Sequence, residues 1–179
     1  MKRTENPLLD LIAPGYPKVW SLNGNLVMSV FIPAIDGEVP AKERPQARVV
    51  TGKNGKPFPQ FYTPKKTKTW EEHVANTARA QVLTAPVVGD DDFLLPVQDC
   101  RVLANLRFNM KKPASYPKSV VHDVRKPDLD NLVKAILDGL VQGRILEDDN
   151  AITDMFVSKR YADATHPLGV EVELTCILV

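Results

Sequence analysis

Residues 128–143 read DLDNLVKAILDGLVQG, with Leu129, Leu132, Val133, Ile136, Leu137, Leu140 and Val141 at i, i+3, i+4, i+7, i+8, i+11 and i+12. That spacing puts them on one stripe of a 3.6-residue period, so an amphipathic helix is predicted over residues 129–142, stopped by Gly143. Pro127 disfavours helical backbone at Lys126, so the chain arrives extended and winds up at Asp128-Leu129-Asp130. Two carboxylates thus meet at a strand-to-helix junction. Lys134 follows one turn later on the polar stripe and reads as an i,i+4 partner of Asp130. Asp138, one turn further, reads as a solvated helix residue. Past the helix, the turn Glu147-Asp148-Asp149-Asn150 brings back a second acid pair.

Outward from this centre the punctuation sets the other elements. Residues 26–33 (LVMSVFIP) are rich in branched and aromatic side chains and read as a strand. Pro40, Pro45, Gly52, Gly55, Pro57, Pro59 and Pro64 then crowd a stretch that reads as one long loop. Thr69-Trp70-Glu71-Glu72 matches a capping box, which predicts a helix starting there. Its apolar stripe is Trp70, Val74, Ala78 and Val82, and Pro86 ends it at Ala85. Residues 89–92 (GDDD) read as a surface turn. Val102, Ala104, Leu106, Phe108 and Met110 alternate with polar residues, a period of two that marks a half-buried strand. Residues 152–161 and 169–179 read as two more strands, the last with Val170, Val172, Leu174, Cys176 and Leu178 on one face. Residues 1–25 read as an irregular N-terminal extension and 26–179 as one domain. The order β-α-β-α-β-β predicts an α+β fold, two main helices packed on a mixed sheet.

The 179 residues suit one domain, and 44% hydrophobic against 25% charged residues can bury a core, which excludes global disorder. No run approaches the roughly 18 apolar residues of a membrane span. Cys100 and Cys176 lie in strand-like segments without CxxC or Cys/His spacing, so neither disulfides nor a zinc site is expected, and a cytoplasmic location follows. The net charge of +1 conceals segregation. Between residues 40 and 68 stand Lys42, Arg44, Arg48, Lys53, Lys56, Lys65, Lys66 and Lys68 against Glu43 alone. Between residues 128 and 154 stand Asp128, Asp130, Asp138, Glu147, Asp148, Asp149 and Asp154 against Lys134 and Arg144.

Each acidic feature has an ordinary role by itself, since aspartates cap helices and Asp-Asp-Asn makes turns. Their conjunction beside a basic arm points to phosphate chemistry assisted by Mg²⁺, a hard ion that binds a few carboxylates plus phosphate and water. An EF-hand is excluded because its fifth and sixth positions would be Leu132 and Val133. A phosphatase of the aspartyl-nucleophile type would carry its DxD after an apolar strand, not after Lys126-Pro127. A nucleotide-sugar transferase would need a larger nucleotide-binding domain.

KPDLDNLVKAILDGL (126–140) followed by EDDNAI (147–152) resembles the signature of the RusA-type Holliday junction resolvases, endonucleases often encoded by phages. FIPAIDGEVPAKERPQAR (31–48) and YTPKKTKTWEEHV (62–74) resemble that family's N-terminal strand and basic loop. The resemblance spans residues 26–179 and makes them a single RusA-like nuclease domain. It implies that Asp128, Asp130 and Asp149 bind Mg²⁺, with Mn²⁺ as a substitute, and that these three with Lys134 are catalytic. The implied reaction is resolution of four-way DNA junctions in recombination and repair, by paired symmetric nicks leaving 5′-phosphate and 3′-hydroxyl ends. Two symmetric cuts call for a homodimer. Lys42, Arg44, Arg48, Lys65, Lys66, Lys68 and Lys126 are the expected DNA contacts, in a bacterial cytoplasm. The rival readings are a non-cleaving DNA-binding module and a less selective branched-DNA nuclease.

Overall fold

A computed structural model describes residues 18–22, 25–88 and 95–178. Alternation in three strands builds the centre of the fold: β2 (Asn25–Pro33), β6 (Cys100–Met110) and β8 (Gly169–Leu178). Their registers align Ile32, Val170 and Phe108 in one rung, Val30, Val172 and Leu106 in the next, then Met28, Leu174 and Ala104. A side-chain period of two puts all these rungs on one face. There they join a single core with Trp70, Val74, Ala78 and Val82 of helix α1 (Lys65–Thr84) and Leu132, Ala135, Ile136 and Leu140 of helix α2 (Leu129–Gln142). The α+β reading, a mixed sheet with two helices, is thereby observed.

The full sheet has six strands in the order β5-β1-β2-β8-β6-β7, where β1 is Lys18–Leu22, β5 is Val87–Val88 and β7 is Ile152–Tyr161. β6 and β7 run parallel, as do β1 and β5, and the remaining neighbours are antiparallel. A strand at Lys18–Leu22 corrects the reading of residues 1–25 as irregular: KVWSL pairs with β2, Trp20 opposite Val27. The rest of that extension, up to residue 17, and the expected turn at residues 89–92 lie outside the described residues.

The proline-rich stretch is not one long loop. It contains a two-stranded hairpin, β3 (Gln46–Thr51) against β4 (Pro57–Tyr62), detached from the main sheet. Both its strands are edges, where a proline's missing N–H can face away from the partner. Helix α1 likewise starts one turn before the capping box, with Pro64 at its N-cap and no side-chain cap. Packing explains the extra turn: Pro64 and Thr67 are buried, and the Thr67 hydroxyl accepts the Glu43 backbone N–H at 3.1 Å. Lys65, Lys66 and Lys68 therefore project from helix, not from loop. Gly143 does end α2, but with φ −74°; the left-handed residue is Arg144 at φ 58°. The glycine serves close approach instead, for a Cβ there would lie 2.7 Å from the Ala75 carbonyl oxygen. Among the described residues no helix is long and apolar enough to cross a membrane.

Candidate metal and nucleic-acid site

The segment leading into α2 is held from the neighbouring strand. Lys159 Nζ on β7 donates to the Pro127 carbonyl at 2.9 Å and to that of Arg125. Beneath it the buried Asp123 carboxylate accepts from Tyr161 Oη at 3.0 Å and from Arg125 Nε at 3.1 Å. Burial disfavours the Asp123 charge, yet these hydrogen bonds outweigh it and hold the carboxyl below the usual aspartate range. A lowered folded pKa contributes stability that is present above the unfolded value of about 3.9 and is lost as pH falls through the folded one. Asp123→Ala should cost about 1 to 3 kcal/mol near neutrality, because it leaves buried donors unpaired. Urea midpoints of parent and variant should converge as pH drops below about 4.

Asp128 is the α2 N-cap and Asp130 lies in its first turn; both are exposed, and neither carboxylate has a hydrogen bond or ion pair among the described residues. Lys134 does not pair with Asp130. Its ammonium lies 2.5 Å from Asp149 Oδ2 and 3.1 Å from Asp138 Oδ1. Hydrogen bonds to Asp149 first and Asp138 second raise the Lys134 pKa, and the same lysine lowers that of Asp149. Nor is Asp138 merely solvated, since Lys42 Nζ contacts its other oxygen and lies 3.3 Å from Glu71. An alternating chain Glu71–Lys42–Asp138–Lys134–Asp149 thus runs from α1 to the turn after α2. For Lys42, burial opposes the charge, but Asp138 and Glu71 more than compensate and raise its pKa. Asp148 caps that turn, its Oδ1 accepting the Asn150 N–H at 2.8 Å.

The donor set is chemically right for a hard divalent ion: three carboxylates, two of them unpaired. Among the described residues, however, no three acidic, histidine or cysteine side chains are gathered closely enough to hold one. Lys134 and Asp149 are brought together; Asp128, Asp130 and Asp149 are not joined in one coordination shell.

The expected DNA contacts divide in the same way. Arg44, Lys65, Lys68 and Lys126 are exposed without hydrogen bonds or ion pairs among the described residues. Lys66 is paired with Glu38 at 2.6 Å, Arg48 donates to Gln60 within the hairpin, and Lys42 belongs to the chain just described. Lys159 and Asp123 are positions that sequence reasoning passed over, and Asp138 is one that it read only as solvated. Lys159 and Asp123 have partners more than thirty residues away, which no local pattern reveals. The spacing of Lys134 and Asp138 was a visible signal.

Comparison with known proteins settles the family. The family model described as Endodeoxyribonuclease RusA matches residues 36–175, which include the hairpin, both helices and the acidic turn. The chain belongs to the RusA family. A relative, the uncharacterized protein YqaN of Bacillus subtilis (strain 168), is 30% identical over 131 residues, covering 71% of this chain and 84% of that protein. Through its family this chain is an endodeoxyribonuclease, a hydrolase of DNA phosphodiesters, and the family acts on branched DNA junctions.

Proposed function

We propose that this RusA-family chain is a Mg²⁺-dependent resolvase that cuts four-way junctions by paired symmetric nicks, in recombination and repair within a bacterial cell, on a phage-derived gene. The observation that carries this is the Lys134–Asp149 pair, one helical turn along from Asp130 on a helix whose start bears two carboxylates unpaired among the described residues. Asp128, Asp130 and Asp149, which are not gathered into one shell among the described residues, would have to draw together to hold Mg²⁺ or Mn²⁺, and the bound ion would supply a water of lowered pKa and polarise the phosphate. Lys134, kept protonated by Asp149 and Asp138, stabilises negative charge that the phosphate oxygens gain in the transition state. Arg44, Lys65, Lys68 and Lys126 bind backbone phosphates; Lys66, Arg48 and Lys42 chiefly hold the arm in shape. Two such sites on a two-fold homodimer match the near two-fold symmetry of the junction. Sedimentation of the bound junction should read two chains, and one chain per junction would refute the dimer.

The deciding experiment offers a synthetic four-way junction and a matched linear duplex with and without Mg²⁺. Paired nicks in the junction alone, and with Mg²⁺ alone, are expected. Equal cutting of both DNAs would make the chain a less selective nuclease, and binding without cutting in any metal would make it a DNA-binding module. A second test concerns the arm. Replacing Lys65 and Lys68 together by alanine should flatten the slope of log affinity against log salt by about 2 units, at roughly 0.9 per phosphate contact. Lys66→Ala alone should change that slope far less, because its charge is already matched by Glu38.

A further inference from the structure

Beside Asp128 opens a cavity of about 720 Å³, between the Gly37–Glu43 loop on one side and the chain around Met110–Ala114 and Asp123–Asp128 on the other. It adjoins the proposed metal site through Asp128 and Lys126, but the proposed chemistry gives its interior no occupant. Its size lies inside the roughly 300 to 1,000 Å³ typical of sites for small ligands. Part of the wall is apolar, made by Val39, Pro40, Ala41, Met110 and Pro113, with no aromatic ring among the lining residues. Most of its charged lining is already satisfied: Lys42 by Asp138, Lys66 by Glu38, Arg125 by Asp123, and Lys112 by the carbonyls of Lys118 and Val120. Five polar groups are not: the carboxylates of Glu43 and Asp128, the second already assigned to the proposed metal site, and three groups that can meet an anion or a base edge. The ammonium groups of Lys111 and Lys126 and the side-chain amide of Asn131 line the cavity without a hydrogen bond or ion pair among the described residues.

That combination selects a ligand with a flat, weakly polar body, an edge that exchanges hydrogen bonds, and an anionic tail. We infer that the cavity receives one unstacked nucleotide of the junction strand, next to the phosphate that is cut. This rests on the proposed function and deepens it. The base face would lie on the Val39–Ala41 and Met110 wall, its edge would meet the Asn131 amide, and Lys111 and Lys126 would bind its flanking phosphates. In an open junction the nucleotides at the exchange point lack a stacked neighbour on one side, so drawing one out costs less there than within linear duplex. The cavity thereby discriminates branched from linear DNA and gives the enzyme a place to read a base at the cut.

The test uses the full chain carrying Asp130→Asn, so that strands stay intact, and junctions with 2-aminopurine at single positions flanking the crossover. This base brightens when unstacked, and a cavity without aromatic rings would leave it bright. Brightening at one flanking position is expected on binding, with none in a matched linear duplex. Ala114→Phe, which puts a ring into the cavity from an exposed wall position, should abolish the signal while the junction still binds. Lys111→Ala, at an exposed surface position where folding is not at stake, should weaken the signal and flatten the salt slope by about 0.7 to 0.9 unit. A bound junction that never brightens, or brightening indifferent to Ala114→Phe and Lys111→Ala, overturns the nucleotide site and leaves the resolvase reading standing. Failure of every form to bind the junction overturns both.

Discussion

Asp130→Asn is expected to lower strand cleavage by at least about a thousandfold, roughly 4 kcal/mol of transition-state stabilisation, while junction binding persists. The carboxylate is exposed, so the substitution breaks no hydrogen bond or ion pair among the described residues. Asparagine keeps the shape and the hydrogen-bonding capacity favoured around helix starts. Losing a negative charge in the first turn of α2 forfeits about 0.3 to 1 kcal/mol of helix-dipole interaction, and relief of repulsion from Asp128 offsets part of that. Stability should therefore stay within about 1 kcal/mol of the parent, and a large loss of cleavage would report on chemistry instead of folding. Single-turnover cleavage of a bound junction, with urea unfolding of the same preparation, separates the two. Full nicking by a folded Asp130→Asn chain would remove Asp130 from the site.

Helix α2 was legible because its determinants are local: seven apolar positions on one stripe and a proline that fixes how the chain arrives. The pairing of Lys134 was not. Its nearest rivals within the helix, Asp130 and Asp138, stand at equal spacing on either side, and the choice is made by Asp149, fifteen residues on, and by Lys42, which contacts Asp138 from 96 residues away. A helical pattern cannot rank i−4 against i+4 when the tie is broken by loops. The capping box at Thr69 was a sound local motif overridden by tertiary packing, for burying Pro64 and Thr67 draws the helix back by one turn. The hairpin was hidden for the opposite reason. Its strands carry Val49, Phe58 and Phe61 exposed and bury no face, so neither alternation nor a buried run marks them. Strand β1 holds only five residues, and its pairing partner supplies most of its definition.

Gly143→Ala should destabilise the protein by about 1 to 3 kcal/mol, the range for overpacking a filled interior. The backbone there is ordinary, with φ −74°, so conformation alone would favour alanine, by about 0.4 to 1 kcal/mol through a less flexible unfolded chain. Sterics reverse the sign. The new methyl would sit 2.7 Å from the Ala75 carbonyl oxygen and 2.9 Å from its Cα, backbone atoms that cannot rotate away. Only a separation of α1 from α2 makes room, and that pulls on the Arg79 bond to the Gly143 carbonyl, now 3.0 Å. Gly139 offers the contrast one turn earlier, where a methyl would meet the Val74 side chain at 2.6 Å. Gly139→Ala should also destabilise, and Val74→Ala removes only the Cγ1 half of the obstruction, leaving the Val74 Cβ at 2.6 Å and the Glu71 carbonyl oxygen at 3.0 Å, so the double variant should recover part of the clash, with a coupling near the low end of about 0.5 to 3 kcal/mol. No side-chain truncation at Ala75 can rescue Gly143→Ala in that way. Urea midpoints at unchanged m-value measure all four variants. Because α2 also carries Asp130 and Lys134, a Gly143→Ala protein that cuts junctions at the parental rate would mean that the helices can part without moving the site.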